Sequence, residues 1–315
     1  MRSPASEAIF GNWATLLLPI TDSDQIDYDL LTAEIDRFIA AGVNGIYSNG
    51  TAGEFHTQTE AEFDQINMLL AEKCRRAQQP FQIGASHTNA HIARERVRRA
   101  KALQPTAFQV ILPDWYPVSP PETLAFLETM AAEADPIPLV VYNPPHAKRR
   151  IEPAEWLTLA ERVPGIAGIK VLGGDDAWYE AMQPVMARWS VFIPGHLLAA
   201  GLAGGARGAY SNVACLNPLG AQRWYELCRR DPAAGLRQQE SIQAFWKNNV
   251  SPLITKHGLS PMAADKSAAC AGGWLPGLTP RLRWPYRGAD EAMIRQIAEA
   301  AKREVPELLV EIAKG

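Results

Sequence analysis

Apolar residues along the chain fall into two alternating kinds of run. Short stretches such as residues 43–47, 108–112, 139–142 and 166–170 are apolar at nearly every position, whereas longer stretches carry apolar residues three and four apart. The first kind predicts strands buried on both faces, the second amphipathic helices. An apolar run over 13–18 is followed by a helix over 28–41, built on Leu30, Leu31, Ile35, Phe38 and Ile39 and closed by Gly42. Strand 43–47 and helix 59–73 repeat the unit. It recurs through strand 81–85, helix 90–103, strand 108–112, helix 122–134, strand 139–142 and helix 153–162. Strand 166–170, helix 177–188, strand 191–193, a short helix 197–203 and strand 206–210 bring the count to eight.

Near-continuous apolar strands alternating with helices mean a parallel sheet covered by helices. Eight such units predict a closed (β/α)8 barrel, an α/β TIM barrel, over residues 1–220. Beyond it the strand pattern stops. Helices are expected at 219–228, 235–248, 261–271 and 291–312, with a proline- and tryptophan-rich stretch over 274–286. Residues 221–315 therefore read as a C-terminal helical extension packed on the barrel as one structural unit.

Composition narrows the class of function. Hydrophobic residues make up 47% of 315, enough for a full core, and the net charge of −3 with a pI near 6.1 leaves no basic footprint for nucleic acid or an anionic membrane. Cys74, Cys215, Cys228 and Cys270 form no CxxC pair and are expected to be reduced thiols. With no leader pattern and no run of about 18 apolar residues, a cytoplasmic protein is expected.

In a barrel of this kind chemistry sits at the carboxyl ends of the strands. Residues 165–171 deliver Lys170 to such an end, directly before a glycine-rich turn. An ammonium held against apolar walls loses hydration, so its neutral amine becomes accessible and can attack a carbonyl. The strand ending at Tyr47 runs into Ser48-Asn49-Gly50-Thr51-Ala52-Gly53-Glu54, a turn of small residues whose backbone N–H groups can converge on a carboxylate. Strand 139–142 ends in Tyr142-Asn143-Pro144-Pro145, placing a phenol at the rim as a proton relay.

Other patterns carry less. His87 and His91 have a metal-like spacing without the glutamate of an HExxH motif, and no metal site is assigned to them. The glycine cluster at 201–208 precedes a strand, so it reads as a tight turn and not as a dinucleotide loop. Arg94, Arg96, Arg98, Arg99 and Lys101 read as the wet face of a helix.

Gly50-Thr51-Ala52-Gly53-Glu54, Tyr142-Asn143-Pro144-Pro145 and Gly168-Ile169-Lys170 resemble, in order and spacing, the signatures of the dihydrodipicolinate synthase and N-acetylneuraminate lyase family. The resemblance extends to Pro113-Asp114-Trp115-Tyr116-Pro117, Pro194-Gly195-His196 and Gly208-Ala209-Tyr210-Ser211-Asn212, and so covers essentially the whole chain. It implies a metal- and cofactor-free class I lyase in which Lys170 forms an imine with pyruvate or a 2-keto(-3-deoxy) acid. It further implies that Gly50, Thr51 and Ala52 hold the keto acid's carboxylate, that the Thr51 hydroxyl and Tyr142 relay protons, and that Tyr210 lines the pocket through its carbonyl. A homotetramer with an aromatic exchange between subunits is implied, with Trp115 or Tyr116 in that place.

Three departures bear on substrate and relay. Ala52 stands where the family often has a second hydroxyl, and Trp115 where it often has a tyrosine. Ala147 stands where true dihydrodipicolinate synthases have an arginine for the aldehyde's carboxylate, which argues against 4-hydroxy-tetrahydrodipicolinate synthase. Lys148, Arg149 and Arg150 follow and offer a second anion site, while His146 and His196 lie on rim loops within reach of sugar hydroxyls. The alternatives are that synthase, a catalytically silent relative that binds keto or sugar acids, and a metal-dependent barrel enzyme, for which the strand ends show no His and carboxylate cluster.

Overall fold

The computed structural model describes residues 2–312. Its strands β1 (Gly11–Thr15), β2 (Gly45–Ser48), β3 (Phe81–Gly84), β4 (Ala107–Ile111), β5 (Leu139–Tyr142), β6 (Ile166–Lys170), β7 (Ser190–Pro194) and β8 (Gly208–Tyr210) close into a parallel barrel in sequence order, β8 pairing back onto β1. Helix α1 (Pro4–Ala8) precedes the barrel, and α2 (Tyr28–Ala40), α3 (Glu60–Ala77), α4 (Ala90–Ala100), α5 (Pro120–Ala134), α6 (Pro153–Arg162), α7 (Asp176–Met186) and α8 (Leu198–Ala203) connect the strands. Then come α9 (Asn212–Leu216), α10 (Pro218–Arg230), α11 (Pro232–Phe245), α12 (Ser251–Thr255), α13 (Pro261–Gly272) and α14 (Glu291–Glu304).

Strand residues alternate between two buried environments. Leu139, Val141, Ile166 and Ile169 face the helices, whereas Trp13, Tyr47, Val140, Phe192 and Tyr210 fill the barrel with Ile9 beneath them. Each such side chain taken from water contributes about 1.5–3 kcal/mol. A polar layer crosses this interior, with Tyr210 donating to Gln82 Oε1 at 2.6 Å and Gln82 Nε2 facing Gln109 Oε1 at 3.5 Å.

Several expected boundaries shift for local reasons. The run over 13–18 is strand only to Thr15: Leu17 N–H leaves the sheet to donate to the buried Glu34 carboxylate at 2.8 Å. The leader contains α1, started by Ser3 with Pro4 next to it, and Ser190 Oγ reaches back to Ser6 O at 2.7 Å to close the amino end of the barrel. The helix expected over 235–248 is α11, followed by a π turn at Trp246–Val250 before α12. Pro252 has no N–H for the carbonyl four residues earlier, so the helix changes register there. The helix expected to reach 312 stops at Glu304, because Pro306 disfavours helical backbone at Val305, and a 3-10 turn follows at Pro306–Leu308. In the basic run on α4, Arg96 is buried: it stacks on Phe63, donates to Ser86 O at 2.6 Å and pairs with Glu60. Arg94, Arg98 and Arg99 keep the exposed face, paired with Glu133, Glu60 and Asp64.

α13 is fastened to the barrel by a fully buried ion pair. Lys266 Nζ donates to Glu54 Oε1 at 2.5 Å, to Leu18 O at 2.7 Å and to Arg281 O at 2.8 Å. Glu54 sits at a left-handed φ of 51° at the end of the turn after β2, and its other oxygen accepts from Arg283 N–H at 2.9 Å. The turn that follows β2 is thus held against the C-terminal helices.

Candidate active site

Lys170 ends β6 directly beside Tyr142 at the end of β5, a register pair that points both side chains the same way. Two positions below Lys170, Gly168 leaves room for β7: a Cβ there would meet Ser190 O at 2.6 Å. The Lys170 amine lies 4.2 Å from the Tyr142 ring centre, 4.8 Å from that of Tyr47 and 5.1 Å from that of Tyr210. It donates to the Tyr47 hydroxyl at 3.3 Å. Three aromatic faces strip water from the ammonium, and burial lowers the lysine to a pKa of about 8, against an opposing pull from Asp265.

The phenols are shifted the other way. Burial raises Tyr142 to about 12, an effect the hydrogen bond from Thr51 partly offsets. Tyr47 is pushed well above its ordinary value by burial, with Thr15 bonded to it. Tyr142 and Tyr47 therefore hold their protons at neutral pH. The Tyr210 hydroxyl is already committed to Gln82, so its ring forms the floor of the site. Gly50 makes room for the Tyr47 ring, since a Cβ there would sit 2.7 Å from it.

These residues line an inner chamber of about 230 Å³, together with Thr51, Ala52, His146, His196, Asn212, Cys215 and Asp265. Within the turn after β2, Glu54 N–H donates to Thr51 O, while among the described residues no acceptor takes the N–H of Thr51 or Ala52. Two free N–H groups beside an amine suit the carboxylate and keto group of one small acid. His196 engages Asn212 through Nδ1, and burial lowers its pKa.

An outer chamber of about 370 Å³ shares Thr51, Tyr142 and His146 with the inner one. Trp115 and Tyr116 line neither chamber; both are 83% exposed on the loop after β4. Lys148 leans on Trp115, donating to its carbonyl at 2.6 Å, and Arg149 is bound to both Glu155 oxygens at 2.7 Å. The basic run 148–150 is thus occupied with protein partners. His87 accepts from Asn89 N–H, and no group of three metal-ligating side chains gathers among the described residues.

Three residues of the site were not singled out in the sequence. Tyr47 reads as an ordinary strand aromatic, although its place one residue before the glycine turn marks a strand end. Asp265 arrives from α13, and burial raises it to about 7. His56, in a short 3-10 turn, faces Tyr286 edge-on at 5.1 Å across the outer chamber.

Comparison with known proteins agrees with this arrangement. The model of the dihydrodipicolinate synthetase family matches residues 9–270. An N-acetylneuraminate lyase of Rhizobium meliloti is 27% identical over 297 residues, covering 92% of this chain and 93% of the relative. A 4-hydroxy-tetrahydrodipicolinate synthase of Sorangium cellulosum is 27% identical over 302 residues, covering 93% and 95%. Among solved structures, a prophage protein of the dihydrodipicolinic acid synthase family from E. coli K12, crystallised with pyruvate, superposes with a TM-score of 0.82 at 23% identity, over 94% of this chain and 98% of the other. With a family match over most of its length, the chain belongs to the dihydrodipicolinate synthetase family, a family of class I lyases.

Proposed function

We propose that the protein is a Schiff-base lyase that makes or breaks a bond next to the imine of pyruvate or a related 2-keto acid, with Lys170 as nucleophile. The observation that carries this reading is the Lys170 amine, enclosed by three tyrosine rings beside the free N–H groups of Thr51 and Ala52. The carboxylate of the keto acid lies on the turn after β2, which aims its keto carbon at Lys170. The neutral amine adds to that carbon, and loss of water from the adduct, with a proton supplied by Tyr142 through the Thr51 hydroxyl, gives the imine. A proton then leaves the neighbouring carbon, or a bond to that carbon breaks, and the electron pair moves into the imine. Tyr47, bonded to both Lys170 and Thr15, is a second route for the proton.

The reaction catalysed by 4-hydroxy-tetrahydrodipicolinate synthases needs a cation for the aldehyde's carboxylate, and the outer chamber has Ala147 with Arg149 neutralised by Glu155. This favours other aldol or dehydration reactions. We also propose a homotetramer that uses the exposed Trp115 and Tyr116, checked by sedimentation of the wild type against a Trp115→Ala, Tyr116→Ala double variant. The test of the main reading is intact mass after incubation with pyruvate and borohydride. A reduced pyruvyl adduct in the wild type, absent in Lys170→Ala, supports it; no adduct with any 2-keto acid leaves a silent binding protein in its place.

A further inference from the structure

The outer chamber opens directly onto the inner one through Thr51, Tyr142 and His146, so whatever group is joined to the keto acid at its reacting carbon occupies it. Its walls are Phe55, Ile111, Leu112, Val118, Met262 and Tyr286. A polyhydroxy chain or a second carboxylate placed there exchanges water for protein partners and is unfavourable unless donors and acceptors replace it. Three of the polar groups at hand are engaged. Asn143 Nδ2 donates to Arg149 O at 3.0 Å while its Oδ1 accepts from Ile151 N–H at 3.0 Å. The Arg149 guanidinium is spent on Glu155 and on Thr123 Oγ1 at 2.9 Å, and Asp114 accepts from Lys148 N–H at 2.9 Å.

His56 and His146 are left, together with the hydroxyls of Thr88, Ser260 and Tyr286, none of which carries a positive charge. Burial lowers the pKa of each histidine, and their mutual repulsion lowers His56 further. A pair of neutral imidazoles can hold one hydroxyl or carbonyl oxygen, but it cannot balance an anion.

We infer that the outer chamber is the subsite for an uncharged, largely apolar aldehyde, with aryl aldehydes of benzaldehyde type as the fitting class, in place of a sugar aldehyde or an aldehyde acid. The inference rests on the lyase reading of Lys170. In the condensing direction the enamine carbon of the Lys170 adduct bonds to the aldehyde carbon, and the aldehyde oxygen takes up a proton. Water then hydrolyses the resulting iminium to release a 4-hydroxy-2-keto acid and the free amine. Cleavage runs the same steps in reverse, with no oxidant or reductant.

Two measurements test it together. The wild type is assayed for condensation of pyruvate with benzaldehyde, glyceraldehyde or succinic semialdehyde. Ligand-observed NMR then follows benzyl alcohol and glycerol on Lys170→Ala, which lacks the amine and keeps the chamber. The expected result is a kcat/KM for benzaldehyde at least about tenfold above the other two aldehydes, within the discrimination an apolar pocket gives. Saturation transfer is expected to benzyl alcohol alone. Ala147→Arg, at the half-buried rim, is expected to move the preference about tenfold toward succinic semialdehyde. Adduct formation with pyruvate combined with a preference for either polar aldehyde, or absence of benzyl alcohol binding, overturns the inference and leaves the lyase reading standing. Benzyl alcohol binding without any pyruvate adduct keeps the ligand class and overturns the lyase reading instead.

Discussion

Among the described residues two lysines, Lys170 and Lys266, lie largely out of bulk water, and their surroundings separate a strut from the proposed nucleophile. Lys266 has a carboxylate and two carbonyls around its ammonium at 2.5–2.8 Å, so all three of its protons are placed. Lys170 has one phenol at 3.3 Å and three ring faces, so burial is met by weak partners. Burial lowers the pKa of both, but only at Lys170 does the nitrogen keep open space beside it for a ligand. Burial alone therefore does not make a lysine reactive; unfilled hydrogen-bonding capacity facing a cavity does.

The contrast breaks first at Lys170 itself: Lys170→Ala is expected to cost at least about 10³-fold in kcat, because the residue acts as a unit with its relay, and to leave thermal unfolding nearly unchanged. Lys266→Ala should do the reverse. It strands the Glu54 carboxylate in the core, and chemical denaturation should show a loss of about 3–5 kcal/mol, while the folded fraction still forms a pyruvate adduct. Tyr142→Phe removes the proton donor beside the amine and should lower kcat by about 10²-fold, measured in single-turnover assays with adduct formation still detectable.

The pH dependence sharpens the comparison further. The neutral amine attacks, so adduct formation should rise with pH to a plateau above about 8, the pKa to which burial lowers Lys170. Asp265 stabilises the ammonium and thus opposes that lowering, so Asp265→Asn should move the acid limb to lower pH. Because burial raises Asp265 itself to about 7, its carboxylate acts on the amine only near and above that pH, so at about pH 7.5 the variant should be the faster, by less than about tenfold. The smallest effect belongs to a residue remote from both lysines: Trp115→Ala should change the stability of the isolated chain by no more than about 0.5 kcal/mol, read at concentrations low enough to prevent association.

How much of this was legible depends on range along the chain. Strand and helix periods are local, so the barrel order could be read directly, and a strand-end position brought out Lys170, Tyr142 and the turn 50–52. The proline break at Pro306 is equally local, but the apolar periodicity of the helix expected over 291–312 continues past it. Asp265 was not legible, because nothing in the spacing of α13 reports that one of its faces covers the mouth of a distant barrel. Arg96 looked like its charged neighbours, and only the positions of Glu60 and Phe63 on α3 make it a core residue. Trp115 and Tyr116 were legible as rim aromatics, but within one chain they reach neither chamber.

The hydrogen bond from Tyr210 on β8 to Gln82 on β3 ties the floor of the site to the last strand of the barrel. Until that strand is made and docked, Lys170 lacks one of its three aromatic walls and stays hydrated, with the basicity of any surface amine. A chain whose eighth strand has not yet docked therefore holds a Lys170 with only part of its aromatic enclosure. The closing strand of the barrel and the floor of the candidate site are thus made in one step of folding.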